Sequence, residues 1–215
     1  MISREEIRKS FDGRFPEEYY DILQSSSAAI AGLGGLGSHI AVMLARSGVG
    51  HLHLVDFDIV DISNLNRQEY DVCHIGQLKT EALPERLLRI NPYLEITTEN
   101  VMVTEENAVS IFGGYRYICE AFDKPQAKAM LINTLMTGCP DSYIVSGNGM
   151  AGFHDANLIR TRQLGSRLFI CGDGSSDVAE GMGLMAARVS VCAGHQANKI
   201  IELMINDNTK GTCDK

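Results

Sequence analysis

Short apolar runs alternate with longer amphipathic stretches along this 215-residue chain. The short runs, bounded by Gly, Asn, Asp or Pro, predict strands. The predicted strands span residues 28–31, 51–55, 94–98, 115–121, 142–146 and 167–171.

Apolar residues three or four positions apart predict helices between these strands. The predicted helices span residues 36–47, 77–90, 125–136 and 185–205. Gly48 suits a C-cap of the first helix. Pro84 should kink the second helix or mark a fresh start, and Pro125 suits the first turn of the third.

This order of elements predicts an α/β fold, a Rossmann-like doubly wound, largely parallel sheet with helices on both faces, in a single domain. We expect an N-terminal helical segment over residues 1–27, the main domain over 28–206 and a C-terminal tail over 207–215. Residues 147–183 are rich in glycine, and we expect a crossing loop or lid there.

The composition of the chain argues against some kinds of binding partner. A net charge of −8 argues against a nucleic-acid backbone or an anionic membrane as the main partner. No stretch approaches the roughly 20 apolar residues of a membrane span. The charged start of the chain does not resemble a signal peptide, so we expect a cytoplasmic location.

Cysteine and histidine spacing gives no support for a protein-held transition metal. The six cysteines include no C-x-x-C pair, and most are interpreted as small buried hydrophobic residues. His51 and His53 share a predicted strand face without a third ligand nearby, so packing or surface roles are favoured for both.

A glycine-rich turn follows the first predicted strand. Gly32, Gly34 and Gly37 remove side chains where the strand leads into a helix, so backbone N–H groups can face an anion. Asp56 ends the next strand, where a carboxylate accepts bonds from ribose hydroxyls, and Asp58 would point the same way in an extended segment. The alternatives are a tight turn without a ligand and, for either Asp, a cap on the following turn.

Arg67 and Lys79 follow that acidic strand end, accompanied by Asn64 and Gln68. A guanidinium fork and a point ammonium together suit a polyphosphate. Solvated surface charge is the usual alternative for either residue. A nicotinamide-dependent oxidoreductase would explain the glycine turn and Asp56 but neither of these cations.

Asp123 stands at the carboxyl end of the predicted strand 115–121, where ligands of doubly wound sheets bind. A carboxylate there could hold Mg²⁺ against phosphate oxygens. The alternative is an N-cap of the helix over residues 125–136.

Together these motifs resemble the ThiF/MoeB group of ubiquitin-activating-enzyme-like adenylyltransferases. The family patterns are G-x-G-G-x-G, D-x-D-x-V-x-x-S-N-L-x-R-Q, G-Q-x-K and a later strand-end Asp. In this chain they match residues 32–37, 56–68 and 76–79 and Asp123. The resemblance covers roughly residues 28 to 206.

The resemblance implies ATP-dependent adenylation of the C-terminal glycine carboxylate of a ubiquitin-like sulfur carrier, with release of pyrophosphate. It implies ATP and Mg²⁺ as cofactors and no side-chain nucleophile. The implied contacts are Gly35 near the phosphates, Asp56 on the ribose, Asn64, Arg67 and Lys79 on the phosphates, and Asp123 on Mg²⁺.

Departures from the family pattern suggest a subgroup. The chain lacks the two zinc-binding C-x-x-C pairs, and its loop 172–183 contains no cysteine, although Cys171 lies just before it. The usual R-Y-x-R-Q start is also absent. A short, zinc-free ThiF of thiamine biosynthesis, acting on a ThiS-like carrier, is the closest resemblance.

We further expect a homodimer in which Arg14 reaches the partner's site, with small residues between Ala186 and Gly194 forming a close-packing face. The alternatives in function are a MoaD-type carrier adenylyltransferase and an enzyme like the ATP-dependent tRNA threonylcarbamoyladenosine dehydratase. A non-catalytic partner-binding module is disfavoured because the nucleotide motifs are whole.

Overall fold

A computed structural model describes residues 2–177 and 181–209. Within this part of the chain, seven strands form one sheet in the order β3-β2-β1-β4-β5-β7-β6. The strands are β1 (Ser27–Ala31), β2 (His51–Asp56), β3 (Glu95–Asn100), β4 (Tyr117–Glu120), β5 (Tyr143–Gly147), β6 (Arg160–Leu164) and β7 (Leu168–Gly172). β6 runs antiparallel to β7, and the other neighbouring strands pair in parallel.

Seven α-helices accompany the sheet in the described residues. They are α1 (Arg4–Lys9), α2 (Glu17–Gln24), α3 (Gly35–Arg46), α4 (Lys79–Ile90), α5 (Glu105–Phe112), α6 (Pro125–Gly138) and α7 (Ala186–Thr209). Short 3₁₀ turns cover Ile62–Asn64, Val72–His74 and Ala156–Leu158. None of these helices has the length and apolarity needed to cross a bilayer.

The hydrophobic core has two parts, one on each face of the sheet. Side chains of α3, α4 and α7, such as Ile40, Leu83 and Ile200, build one cluster. Phe112 of α5 and Leu131 of α6 belong to the other. The central strands β1, β4 and β5 are buried almost throughout because helices cover both their faces. The predicted doubly wound α/β fold is therefore confirmed.

The strand order reverses between β1 and β4, which defines the crevice where ligands of such sheets bind. Beyond the strand ends, the Gly32 N–H donates to Val55 O at 2.8 Å and the Ala121 N–H donates to Ala31 O at 2.9 Å. Gly32 has a φ of +92°, and a Cβ there would lie 2.9 Å from Ala121 O. The chain therefore requires glycine at this turn.

Two elements were absent from the sequence prediction. β6 is an exposed, polar edge strand that depends on backbone pairing with β7, so the segment 147–183 contains a β-hairpin and is not irregular throughout. α5 is only eight residues long and gave no clear period. β4 is shorter than predicted, and α4 begins at Lys79 and continues through Pro84 as one helix.

Candidate functional site

The glycine turn joins β1 to α3 through very close backbone contacts. A Cβ on Gly37 would lie 1.8 Å from Gly32 O, so the helix approaches the turn as only glycine permits. Gly34 is the N-cap position of α3 and has open space around its Cα, since the nearest atom to an added Cβ is Gln68 Nε2 at 3.9 Å. A Cβ on Gly35 would crowd Val189 Cγ1 at 3.1 Å. The first N–H groups of α3 have no partner within the helix and can face an anion.

Asp56 is buried at the end of β2 and accepts three backbone hydrogen bonds. The Leu33 N–H donates to its Oδ2 at 2.6 Å, and the Phe57 and Asp58 N–H groups donate to its Oδ1 at 2.7 and 2.8 Å. Asp56 thus caps the following turn and also ties it to the glycine turn. A carboxylate has about four lone-pair sites, so this carboxylate keeps capacity for a ribose hydroxyl.

Lys79 is a buried cation at the first position of α4. Its side chain is 6% exposed, and its Nζ donates to Asp58 Oδ2 at 2.7 Å. The Lys79 N–H also donates to Asp58 O at 3.0 Å. The sequence analysis expected the two carboxylates to point the same way, but Asp58 contacts Lys79 whereas Asp56 contacts the glycine turn. The surface-charge alternative for Lys79 is wrong.

Asn64 and Arg67 lie in the loop that follows β2. Asn64 Oδ1 accepts the Asp61 N–H at 3.1 Å and so caps a 3₁₀ turn. The half-buried Arg67 donates from one terminal nitrogen to Ser63 O at 3.0 Å and to Asn66 Oδ1 at 2.8 Å. These bonds hold the guanidinium beside its own loop and leave its remaining N–H groups available.

Gln68 follows directly and faces the glycine turn. Its side chain is buried, and its Oε1 has no hydrogen-bond partner among the described residues. Buried polar atoms are rarely left unpaired, so an orphaned oxygen beside an open helix N-terminus is a feature expected of a ligand site.

Asp123 is exposed beyond the end of β4, next to Phe122, whose Cδ1 would lie 3.0 Å from a Cβ on Gly32. The Asp123 carboxylate makes no hydrogen bond or ion pair with any described residue. The N-cap of α6 is Lys124, with no side-chain capping bond, so the N-cap alternative for Asp123 is wrong.

The donor set around Asp123 fits Mg²⁺ better than a transition metal. No group of three His, Cys, Asp or Glu side chains in residues 2–177 and 181–209 could hold a metal by itself. Mg²⁺ is commonly bound through one or two carboxylates together with phosphate oxygens and water, and Asp123 could supply a carboxylate of that kind.

Glu120 supports this edge of the site and was missed from the sequence. It is fully buried and accepts hydrogen bonds from Lys128 Nζ and Ser146 Oγ, both at 2.5 Å, and from the Phe122 N–H at 2.7 Å. Gln196 donates to Glu120 O at 3.0 Å. Glu120 therefore fixes the turn that carries Asp123. A charged residue within an apolar strand was the signal that could have identified it.

Arg14 lies away from the crevice of its own chain. Phe11, in the same N-terminal segment, packs near Gly48 at the carboxyl end of α3, whereas the site is at the amino end. The 12 residues of α3 separate the two ends by about 18 Å at 1.5 Å per residue. The exposed Arg14 is therefore not a member of the site within one chain.

The sequence analysis expected small residues of α7 to form a dimer contact. Ala193, from the small-residue face expected to form a dimer contact, is buried in the core of its own chain, with α7 packed on α3. That contact is intramolecular, so the residue does not supply a dimer surface.

Cys171 is fully buried, and burial raises the pKa of its thiol to about 11.

Known proteins share the sequence pattern and the fold of this chain. The model of the ThiF family matches residues 9–214. The molybdopterin-synthase adenylyltransferase of Salmonella typhimurium is 30% identical over an alignment 211 residues long, which covers 94% of this chain and 80% of that protein. The adenylyltransferase and sulfurtransferase UBA4 of Eremothecium gossypii is 36% identical over 129 residues, and the match spans 29% of its length.

Among solved structures, the E. coli tRNA N6-threonylcarbamoyladenosine dehydratase in complex with ATP has the same fold. The TM-score is 0.86 at 23% sequence identity, and the match covers 98% of this chain and 99% of that one. The doubly wound sheet, the glycine turn at its switch point and the family match over residues 9–214 lead to one conclusion. The chain belongs to the ThiF family.

Proposed function

We propose that this protein adenylates the C-terminal glycine carboxylate of a ubiquitin-like sulfur carrier, using ATP. In this reaction a carboxylate oxygen of the carrier bonds to the α-phosphorus of ATP. The bond between the α-phosphorus and the oxygen bridging to the β-phosphate breaks, and pyrophosphate leaves. No protein nucleophile takes part, so the protein's contribution is to position the reactants and neutralise charge.

One observation carries the proposal: N–H donors and cations that suit phosphate oxygens lie around the end of β2 and the start of α3. The open amino end of α3 at Gly34 and Gly35 adjoins Arg67 and the Nε2 donor of Gln68. The buried Lys79 is paired with Asp58, just beyond the end of β2. Two cations and several N–H groups suit a triphosphate. A nicotinamide-dependent enzyme needs the glycine turn and one carboxylate for a ribose, and it would not explain the two cations.

Lys79 has a specific role in this proposal. Its partner Asp58 is half exposed, so a phosphate oxygen can compete for the ammonium from the solvent side. Exchanging Asp58 for a phosphate keeps Lys79 paired, which avoids leaving an uncompensated charge in a buried position. Asp58 then serves to hold Lys79 in the unliganded protein.

Asp123 is the residue proposed to hold Mg²⁺, since its carboxylate is free and adjoins the glycine turn. The ion, when bound, would neutralise phosphate charge. Asp56 is proposed to accept a bond from the ribose while keeping its three backbone partners.

The carrier is proposed to be ThiS-like, in thiamine biosynthesis, from the short zinc-free pattern of the sequence. A MoaD-like carrier is supported by the similarity to the molybdopterin-synthase adenylyltransferase. Activation of a carboxylate on a tRNA nucleoside is the second candidate function. This candidate is suggested by the tRNA dehydratase that has the same fold. The net charge of −8 argues against a tRNA substrate.

The proposal is tested by exchange of labelled pyrophosphate into ATP. The assay is run with a ThiS-like carrier, a MoaD-like carrier and a tRNA that contains threonylcarbamoyladenosine. The matched control for each carrier is the same protein without its terminal Gly-Gly. We expect exchange with the intact ThiS-like carrier and none with its truncated form. Exchange with the MoaD-like carrier instead would show that the carrier is MoaD-like and not ThiS-like. Activation of the tRNA alone would replace the proposed function with the second candidate.

A further inference from the structure

Glu69, which no motif singled out, links several elements around the phosphate crevice. Its Oε1 accepts from His39 Nδ1 of α3 at 2.8 Å, and its Oε2 accepts from an Arg86 terminal nitrogen of α4 at 2.6 Å. Its own N–H donates to Ser38 Oγ at 3.1 Å. The other ring nitrogen of His39 lies 3.2 Å from Ser190 Oγ of α7. One carboxylate thus connects a loop to α3 and α4 directly and to α7 through His39.

The links from Glu69 lead into the glycine turn. Ser38 Oγ, which accepts from the Glu69 N–H, donates to Gly34 O at 2.7 Å. The residues immediately before Glu69 are Gln68 and Arg67, and both face the start of α3. Gln68 Nε2 would lie 3.9 Å from a Cβ on Gly34, and Arg67 O would lie 3.6 Å from a Cβ on Gly35. Glu69 therefore anchors the loop at the point where its two ligand-facing residues meet the helix.

The chemistry of Glu69 suits a permanent anchor. The hydrogen bond from His39 lowers the pKa of its carboxyl, burial opposes this and the bond from Arg86 adds to it, and the resulting pKa is about 2. The group is thus charged throughout the neutral range. Its side chain is 19% exposed and that of His39 is 12% exposed, so water competes weakly for these bonds.

We propose that Glu69 is a positioning residue for the phosphates of the nucleotide. It holds Arg67 and Gln68 against the first turn of α3, so that the guanidinium and the buried amide meet the phosphate chain in a fixed geometry. Glu69 itself does not touch the ligand. This inference rests on the proposed function in one respect: it takes a nucleoside triphosphate as the ligand.

A role confined to general stability predicts a different result from a positioning role. Loss of stability alone would weaken binding of adenosine and ATP by the same factor. Misplacement of Arg67 and Gln68 would weaken binding of ATP, whose phosphates they would meet, while leaving adenosine binding nearly unchanged. The ratio of the two dissociation constants therefore separates the two roles.

The test measures binding of ATP and of adenosine by isothermal titration calorimetry to the wild type, Glu69→Ala and Glu69→Gln. The control is Glu85→Gln, which breaks an exposed ion pair with Arg89 on the same helix as Arg86. We expect Glu69→Ala to weaken ATP binding about tenfold and adenosine binding less than about twofold. Glu69→Gln, which keeps an acceptor oxygen but no charge, should fall between, and it carries the test if the alanine variant does not fold.

An unchanged ratio of ATP to adenosine affinity in both Glu69 variants would overturn the inference, whatever their melting temperatures. So would a wild type that binds ATP no better than adenosine. The measurement needs no carrier. A wild type that binds ATP with the expected dependence on Glu69, yet exchanges no pyrophosphate with any carrier, would contradict the proposed function and leave this inference standing.

Discussion

At the scale of single residues, most of the proposed ligand-binding side chains already have partners within the chain. Asp56 holds three backbone N–H groups, and Lys79 is paired with Asp58. Asp123 differs because its carboxylate is exposed and has no partner among the described residues. Substitutions at residues of the first kind should therefore affect folding as well as the proposed binding, whereas a substitution at Asp123 should have little effect on the fold.

Asp123→Ala should abolish adenylate formation and leave the melting temperature close to that of the wild type. The reason is that no described contact is lost, while the proposed Mg²⁺-holding carboxylate is removed. Pyrophosphate exchange measures the activity, and calorimetric melting measures stability. Normal turnover by this variant at low Mg²⁺ would show that Asp123 holds no catalytic metal.

Cys171 should be dispensable for adenylation and unreactive in the native protein. Burial raises the pKa of its thiol to about 11, so few thiolate anions exist at pH 8, and the side chain is not accessible. Iodoacetamide labelling followed by peptide mass spectrometry should modify the exposed Cys73 but not Cys171 until the protein is denatured. Cys171→Ser should retain exchange activity. A covalent adduct between the carrier and Cys171 under non-reducing conditions would contradict this prediction.

At the scale of elements, the site depends on how closely α3 approaches β1 and how the crossing segment is fastened to α7. The first contact is a backbone approach at Gly37. The second is a buried ion pair in which Arg188 donates to Asp173 Oδ2 at 2.7 Å and also to Ala151 O at 2.8 Å. The first contact shapes the glycine turn, and the second joins α7 to residues of the segment 147–183.

Gly37→Ala should destabilise the protein by about 3 kcal/mol, since the new Cβ would lie 1.8 Å from Gly32 O and the backbone must move. Gly194→Ala on α7 is the matched control, because no atom lies within 4 Å of its added Cβ. The control should be neutral or stabilising by up to about 1 kcal/mol, as expected for Gly to Ala within a helix. Free energies of unfolding from urea titrations measure both, and equal values for the two variants would contradict the predicted close contact.

The Asp173–Arg188 pair should make a pH-dependent contribution to stability. Burial raises the pKa of Asp173, but the Ser176 and Ser175 N–H groups and the Arg188 cation outweigh it, and the folded-state pKa is about 2, below the ordinary value of 3.8. A lowered folded-state pKa means that the stabilisation is present above about pH 4 and is lost as the pH falls through 2.

Asp173→Asn should therefore be less stable than the wild type in urea titrations at pH 6, and the difference should shrink between pH 4 and pH 2. Glu202→Gln, which breaks an exposed pair with Lys199, is the control and should show little difference at any pH. A constant difference between Asp173→Asn and the wild type across this range would show that the charge of Asp173 does not stabilise the fold.

At the scale of the whole molecule, the position of Arg14 bears on the proposed homodimer. Arg14 lies at the far end of α3 from its own site, so a role at a site requires a second chain. A mixture of Arg14→Ala and Lys79→Ala proteins should then regain exchange activity, because one site in each mixed dimer is whole. Activity is measured after mixed dimers have been shown by native mass spectrometry. Mixed dimers without regained activity would mean that Arg14 acts in its own subunit or not at all.

The sequence by itself determined the fold class and the glycine turn. Alternating apolar runs and helical periods are local patterns, and they predicted most strands and helices. Gly32 and Gly37 are required by a positive φ and by a backbone contact, so their spacing carries structural information directly. The family pattern likewise follows from contiguous motifs, and the match over residues 9–214 agrees with it.

Only the tertiary structure decided how distant residues meet. The exposed strand β6 exists because β7 pairs with it. Ala193 of α7 is buried in the core of its own chain, and α7 packs on α3. The partners of Lys79 and Glu69 lie on other elements of the chain. Such contacts depend on the packing of separate elements, which a local hydrophobic period does not encode, and for this reason the links around the site became visible only in the folded chain.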